Sequence, residues 1–184
     1  MAYRSGTYVA FHAKGTADPT ASDMKYFQLM KAWNEVAGVD FTFIDSHDKV
    51  AAVQDSSKRE TLRRSLATRL QNSKNFVLIT SADTKKDTDW VPFEIEYAID
   101  ECALPMILTY TDYTDTPIRN PSKLSGYWPT ALAQRINNRT VRAIHIPFNA
   151  APLADAIRQF SVQKYPNGGL DYYNDNAYKL WGLA

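Results

Sequence analysis

The chain lacks several features that would assign it to a common class of protein. It has one cysteine, Cys102, among 184 residues, so no internal disulfide can form, and a lone thiol is typical of a reducing cytoplasm. No apolar run approaches the ~20 residues of a membrane span, and the N-terminus lacks a signal-peptide core. The formal net charge of +1 gives no bulk attraction for nucleic acid. We therefore expect a cytoplasmic protein with neither a membrane anchor nor a nucleic-acid partner.

Metal and cofactor motifs are absent as well. The three histidines, His12, His47 and His145, are not spaced with other ligands as a metal site requires. There is no Gly-x-Gly-x-x-Gly dinucleotide loop, no Walker phosphate loop and no Gly-x-Ser-x-Gly nucleophile elbow. We predict no metal and no resident cofactor, so any chemistry must come from ordinary side chains.

What the sequence does contain is a regular alternation of strand and helix patterns. Apolar stretches predict five strands, at residues 7–12, 39–45, 75–80, 105–110 and 141–146. Amphipathic stretches between them predict helices. This alternation indicates an α/β domain in which helices cover both faces of a five-stranded parallel sheet, with right-handed crossovers. The expected strand order is 2-1-3-4-5, as in flavodoxin-like three-layer sandwiches.

One predicted helix, residues 89–102, carries the most informative carboxylate of the chain. Asp89 is placed to cap its first turn, and an apolar stripe at helical spacing faces a core. At about 100° per residue, Glu94 lies on a partly buried shoulder of that stripe, whereas Glu96 points to solvent. Glu94 is therefore either a salt-bridged boundary residue or a functional group near the carboxyl edge of the sheet, where ligands bind.

Further candidate side chains lie at the ends of neighbouring strands. Phe11 and His12 end the first strand and could stack on or hydrogen-bond a nucleotide, although His12 could equally be a structural loop residue. Asp45 and Ser81 end the second and third strands and are candidates by position alone. Trp90, one turn before the glutamate, could contact a ligand or simply pack.

Two segments fall outside the repeating pattern. Residues 111–140 form a long connection with several prolines, in which Tyr113 and Trp128 could cover a pocket or anchor the loop. After a domain that we assign to residues 1–163, the extension 164–184 is too aromatic for a solvated linker. We expect this extension to pack on its own domain or on another copy of the chain.

Two short motifs resemble the TIR domain family. Residues 90–95, Trp-Val-Pro-Phe-Glu-Ile, resemble the Trp-x-x-x-Glu-hydrophobic signature on the third helix of TIR domains, apart from an atypical proline. Residues 8–12, Tyr-Val-Ala-Phe-His, resemble the first strand of the TIR-like proteins of bacterial Thoeris antiphage defence. The order of elements is similar from about residue 7 to residue 161.

The resemblance implies an activity and a set of partners. In enzymatic TIR domains the signature glutamate cleaves the nicotinamide–ribose bond of NAD, so Glu94 would be catalytic and NAD the substrate. The implied product is an ADP-ribose-derived nucleotide, cyclic in form, that activates a separate effector protein. Self-association into a homo-oligomer or filament is also implied, with the loop at residues 46–56 as the expected contact. Two alternatives remain: a non-catalytic TIR scaffold and a nucleoside deoxyribosyltransferase-like enzyme.

Overall fold

The computed structural model of the protein describes residues 4–13, 22–37, 43–45 and 56–183. The loop expected to mediate self-association lies outside the described residues except for its last position, residue 56. The first part of the predicted second strand, residues 39–42, also lies outside them.

The described strands form one parallel sheet. They are β1 (Gly6–Ala10), β2 (Phe43–Asp45), β3 (Ser73–Thr80), β4 (Met106–Tyr110), β5 (Ala143–Pro147) and β6 (Asp171–Tyr172). Their order is β2-β1-β3-β4-β5-β6, and each neighbouring pair is parallel. The predicted flavodoxin-like α/β fold is confirmed. The C-terminal extension adds a sixth strand of two residues, too short for its pattern to be recognised in the sequence.

Helices cover both faces of this sheet. They are α1 (Met24–Ala37), α2 (Ser56–Gln71), α3 (Trp90–Glu96), α4 (Thr130–Asn137), α5 (Ala150–Gln159) and α6 (Asp175–Leu180). One hydrophobic cluster packs α2, α3 and α4 against one face, and a second packs α1 and α5 against the other. Among the residues described here, no helix is long and apolar enough to span a bilayer.

Strand β1, which lies between β2 and β3, contributes to both clusters. Its side chains alternate between the faces, so Tyr8 and Ala10 join the cluster under α3 while Val9 joins the one under α1. All three are completely buried. Because the Tyr8 ring is shielded from water, its hydroxyl needs a hydrogen-bond partner within the protein.

The C-terminal extension lies at the β6 edge of the sheet, opposite the edge formed by β2. β6 pairs with β5, with Ile144 opposite Asp171. Tyr178 in α6 is fully buried, and its hydroxyl lies 3.3 Å from both the backbone nitrogen and the backbone oxygen of Ile118. The extension therefore adds a strand and a helix to the sheet that precedes it, while contact with another copy stays a prediction.

Candidate active site

Glu94 lies between α3 and β1, in the interior of the protein. Its side chain is 0 % exposed, and the Tyr8 hydroxyl donates a hydrogen bond to its Oε1 at 2.5 Å. The expectation of a partly buried shoulder position is therefore wrong, because close packing of α3 on the sheet encloses that side of the helix. Glu96, two residues later, is exposed, as the helical geometry predicted.

The first turn of α3 is capped by a different residue from the predicted one. Asp89 makes no side-chain cap. Instead, Oδ1 of Asp87 accepts hydrogen bonds from the backbone nitrogens of Asp89, Trp90 and Val91, at 3.0, 2.9 and 3.3 Å. The Asp89 carboxylate forms an ion pair with Arg59 of α2. The cap is an aspartate, as the sequence predicted, but it is Asp87, two residues before the predicted Asp89.

His12 contacts the same capping residue. Its Nδ1 lies 3.1 Å from Oδ2 of Asp87, and the two side chains are 16 % and 10 % exposed. The Asp87 carboxylate therefore joins the segment that leaves β1 to the start of α3. A second β1–α3 link, between Tyr8 and Glu94, lies deeper in the same interface.

Trp90 fills the space between α3 and α2. It is 6 % exposed, and the Arg59 guanidinium lies 5.2 Å from its ring centre, within cation–π range. Its indole Nε1 is buried and has no hydrogen-bond partner among the described residues. A buried N–H ordinarily has a hydrogen-bond partner, because leaving it unpaired costs about 1–3 kcal/mol.

The remaining predicted site residues are distributed around β1 and β3. Ser81 donates a hydrogen bond from Oγ to Oδ2 of Asp23, at 2.7 Å, and its backbone nitrogen donates to Oγ1 of Thr84. Phe11 is 1 % exposed and stacks on Phe27, with ring centres 5.5 Å apart. Asp45 ends β2 as predicted, but its side chain lies outside the described part of the chain.

Three residues of this region were missed in the sequence: Tyr8, Asp23 and Asp87. Tyr8 could have been found, since a tyrosine in a strand covered on both faces must hydrogen-bond inside the protein. Asp87 could have been found as a second possible cap for α3. Asp23 had no local signal, because its contact with Ser81 joins segments 58 residues apart.

The long connection after β4 contributes to a separate buried network. Trp128 is 8 % exposed and its Nε1 donates to the Tyr110 hydroxyl at 2.8 Å, so this tryptophan anchors the loop. The Tyr110 hydroxyl lies 2.7 Å from Nδ1 of His145, and the Nε2 of His145 lies 2.9 Å from the carbonyl oxygen of Gly169. Burial lowers the pKa of His145 to about 4. His145 is thus a neutral structural residue, which donates from Nε2 and accepts at Nδ1.

The residues described hold no cluster of three or more histidine, cysteine, aspartate or glutamate side chains that could bind a metal ion.

A family model described as Thoeris protein ThsB, TIR-like domain, matches residues 8–116, which is more than half of the chain. The chain belongs to this family. No curated protein matches it. The matched region of this Thoeris TIR-like protein includes both links between β1 and α3.

Proposed function

We propose that this Thoeris TIR-like protein consumes NAD, with Glu94 as the catalytic carboxylate. The observation that carries the proposal is the position of Glu94: the glutamate of the TIR signature, held by the Tyr8 hydroxyl at 2.5 Å. Breaking the nicotinamide–ribose bond generates positive charge on the ribose. A carboxylate in a water-excluding site stabilises that charge or forms a transient ester with it.

The leaving group places few demands on the site. Nicotinamide departs as a neutral molecule, so a strong general acid is unnecessary. The enzyme has to exclude water and hold the ribose against Glu94. His12 and the indole N–H of Trp90, which no described residue pairs, are the groups that we propose for holding the nucleotide.

Access to Glu94 requires a rearrangement. Its carboxylate is fully buried against Tyr8, so NAD reaches it only if the Tyr8–Glu94 contact opens. We propose that self-association or an infection-derived trigger opens this contact, and that the product is an ADP-ribose-derived cyclic nucleotide that activates a separate effector. Nicotinamide release per molecule should then rise with protein concentration or on addition of infected-cell extract.

The second candidate function is a non-catalytic scaffold. The complete burial of Glu94 favours it, because a carboxylate that packs under a helix and accepts a tyrosine hydroxyl has a structural role available. In that case this glutamate stabilises the α3–β1 contact, and the protein acts by binding other copies of itself or another protein.

The deciding experiment compares two glutamines in one helix. NAD is incubated with concentrated wild type, Glu94→Gln and Glu96→Gln, with and without infected-cell extract, and nicotinamide is measured by chromatography. Glu94→Gln should lower the rate by about 10²–10³-fold, since it keeps the shape of the side chain and removes the charge. Glu96→Gln changes net charge equally at an exposed position of the same helix and should retain activity.

Melting curves show that each variant is folded. Equal activity of the two variants would return Glu94 to a structural role. A wild type that releases no nicotinamide under any condition, yet self-associates, would leave the scaffold as the better function.

A further inference from the structure

Asp87 uses its two carboxylate oxygens for different purposes. Oδ1 accepts the three backbone N–H groups of the first turn of α3, and Oδ2 faces Nδ1 of His12 at 3.1 Å. An ionised carboxylate only accepts hydrogen bonds, so Nδ1 of a neutral His12 must carry the proton and donate it. The other ring nitrogen, Nε2, then keeps its lone pair.

We propose that His12 is the general base of the second half of the reaction, and that Asp87 is the positioning residue that fixes its tautomer. The proposal rests on the proposed NAD-consuming function and assigns the step after nicotinamide has left. His12 lies at the carboxyl end of β1, partly exposed, whereas Glu94 lies deeper between the same strand and α3. In this proposal Glu94 serves the cleavage of the nicotinamide–ribose bond and His12 serves the step that follows.

The chemistry of that step balances with the groups present. After the nicotinamide–ribose bond breaks, the oxygen of a water or of a substrate hydroxyl forms a new bond to the ribose carbon. It adds to the oxocarbenium ion or, where Glu94 has formed an ester, breaks the bond from that carbon to Glu94 and releases the carboxylate. The O–H proton moves to Nε2 of His12 as the oxygen attacks, which leaves an imidazolium beside the Asp87 carboxylate. The proton then returns to solvent, since 16 % of the His12 side chain is exposed.

Asp87→Asn tests the tautomer directly. The amide oxygen must face the three backbone N–H groups of α3, so the amide nitrogen must face His12 and donate to Nδ1. The proton of His12 would then sit on Nε2, where a base is needed. Asp89→Asn is the matched control, because it removes an acidic side chain two residues away that does not contact His12.

The first readout is nitrogen NMR of the imidazoles at pH 8, where histidine side chains are ordinarily neutral. Signals of the three histidines are assigned with His12→Gln and His47→Gln. His12 should carry its proton on Nδ1 in the wild type and in Asp89→Asn, and on Nε2 in Asp87→Asn. His145, which donates from Nε2 to Gly169, is an internal standard for the second form.

The second readout separates the two half-reactions. Transfer of the ADP-ribosyl group to an added neutral pyridine requires nicotinamide to leave but no base, because the attacking nitrogen carries no proton. Asp87→Asn and His12→Gln should lower hydrolysis and cyclisation by about 10²-fold or more while exchange with the pyridine persists. Asp89→Asn should retain both reactions.

Each contrary result removes the proposal in a distinguishable way. If wild-type His12 carries its proton on Nε2, that nitrogen cannot act as the general base, and the proposal is wrong whatever activity is measured. Parallel loss of exchange and hydrolysis in Asp87→Asn would show that Asp87 only supports the fold of α3. A wild type that releases no nicotinamide, with or without infected-cell extract, would remove the NAD-consuming function and this role of His12 with it.

Discussion

The protein contains two buried polar networks built around a tyrosine hydroxyl, and they differ in how they end. At the β4–β5 side, Tyr110 bonds His145, and both nitrogens of that histidine have protein partners. At the β1–α3 side, Tyr8 bonds a carboxylate, and the buried indole N–H of Trp90 in the same helix has no hydrogen-bond partner among residues 4–13, 22–37, 43–45 and 56–183. The first network is thus closed by protein partners, whereas α3 carries a buried donor that the described residues do not pair.

The contrast also separates two histidines of one chain. His145 lies mid-strand, is fully buried and is held neutral by a pKa near 4. His12 follows the end of β1, is partly exposed and contacts one carboxylate. Burial and hydrogen bonding alone therefore do not mark a functional residue. What distinguishes His12 is its position after the end of β1, at the carboxyl edge of the sheet, where ligands of such folds bind.

The largest expected change in the free energy of unfolding concerns the C-terminal extension, which supplies the last hydrogen-bond acceptor of the Tyr110–His145 network. Gly169, which accepts from His145, belongs to the extension that Tyr178 anchors in the core. Tyr178→Ala should lower the free energy of unfolding by about 3–5 kcal/mol, because it leaves a large cavity. Tyr178→Phe should lower it by only about 1 kcal/mol. Urea titration of both variants measures this, and an equal small loss would show that the extension contributes little to stability.

The next effect compares the two tyrosine hydroxyls. Tyr110→Phe removes the partner of Trp128 Nε1 and of His145 Nδ1, and two orphaned groups should lower the free energy of unfolding by roughly 2–4 kcal/mol. Tyr8→Phe removes one donor from Glu94 and should cost about 1–3 kcal/mol. If Tyr8→Phe lowers the free energy of unfolding more than Tyr110→Phe does, the Tyr110–His145 network does not contribute more to stability than the Tyr8–Glu94 contact.

The third effect is acid lability of the closed network. Because the pKa of His145 is lowered to about 4 in the folded state, from 6.5, the unfolded chain binds a proton first on acidification. The free energy of unfolding is therefore independent of His145 protonation above pH 6.5 and decreases as the pH falls towards 4. At pH 4.5 this decrease amounts to roughly 2–3 kcal/mol. The difference between the unfolding free energies at pH 7 and at pH 4.5 should be smaller in His145→Gln by about this amount. His12→Gln is the control, and an unchanged pH dependence in His145→Gln would exclude this source.

The smallest effect tests which aspartate caps α3. Asp87→Ala removes the acceptor of three backbone N–H groups and should lower the free energy of unfolding by about 1–2 kcal/mol. Asp89→Ala removes a half-exposed ion pair with Arg59 and should change it by less than about 1 kcal/mol. Thermal or urea unfolding of the two variants in parallel measures both losses. A larger loss in Asp89→Ala than in Asp87→Ala would indicate that Asp89 is the cap.

Several features followed from the sequence because they depend on local pattern. Alternating apolar stretches predicted five strands and their order, since buried parallel strands are apolar throughout and crossover rules leave few topologies. The solvent position of Glu96 followed from helical periodicity. The TIR signature and the first-strand motif predicted the family that the match over residues 8–116 then showed.

Other features arise only when distant segments meet. Full burial of Glu94 results from the approach of α3 to β1, and its contact with Tyr8 joins residues 86 positions apart. Asp87 caps α3, while Asp89 forms an ion pair with Arg59 of α2, a partner 30 residues earlier in the chain. The sequence by itself determined the fold and the helix that carries Glu94, because period and composition act within a few residues, and the family through the resemblance of two short motifs. Only the tertiary structure decided what Glu94 and His12 touch, because those partners are set by packing between elements.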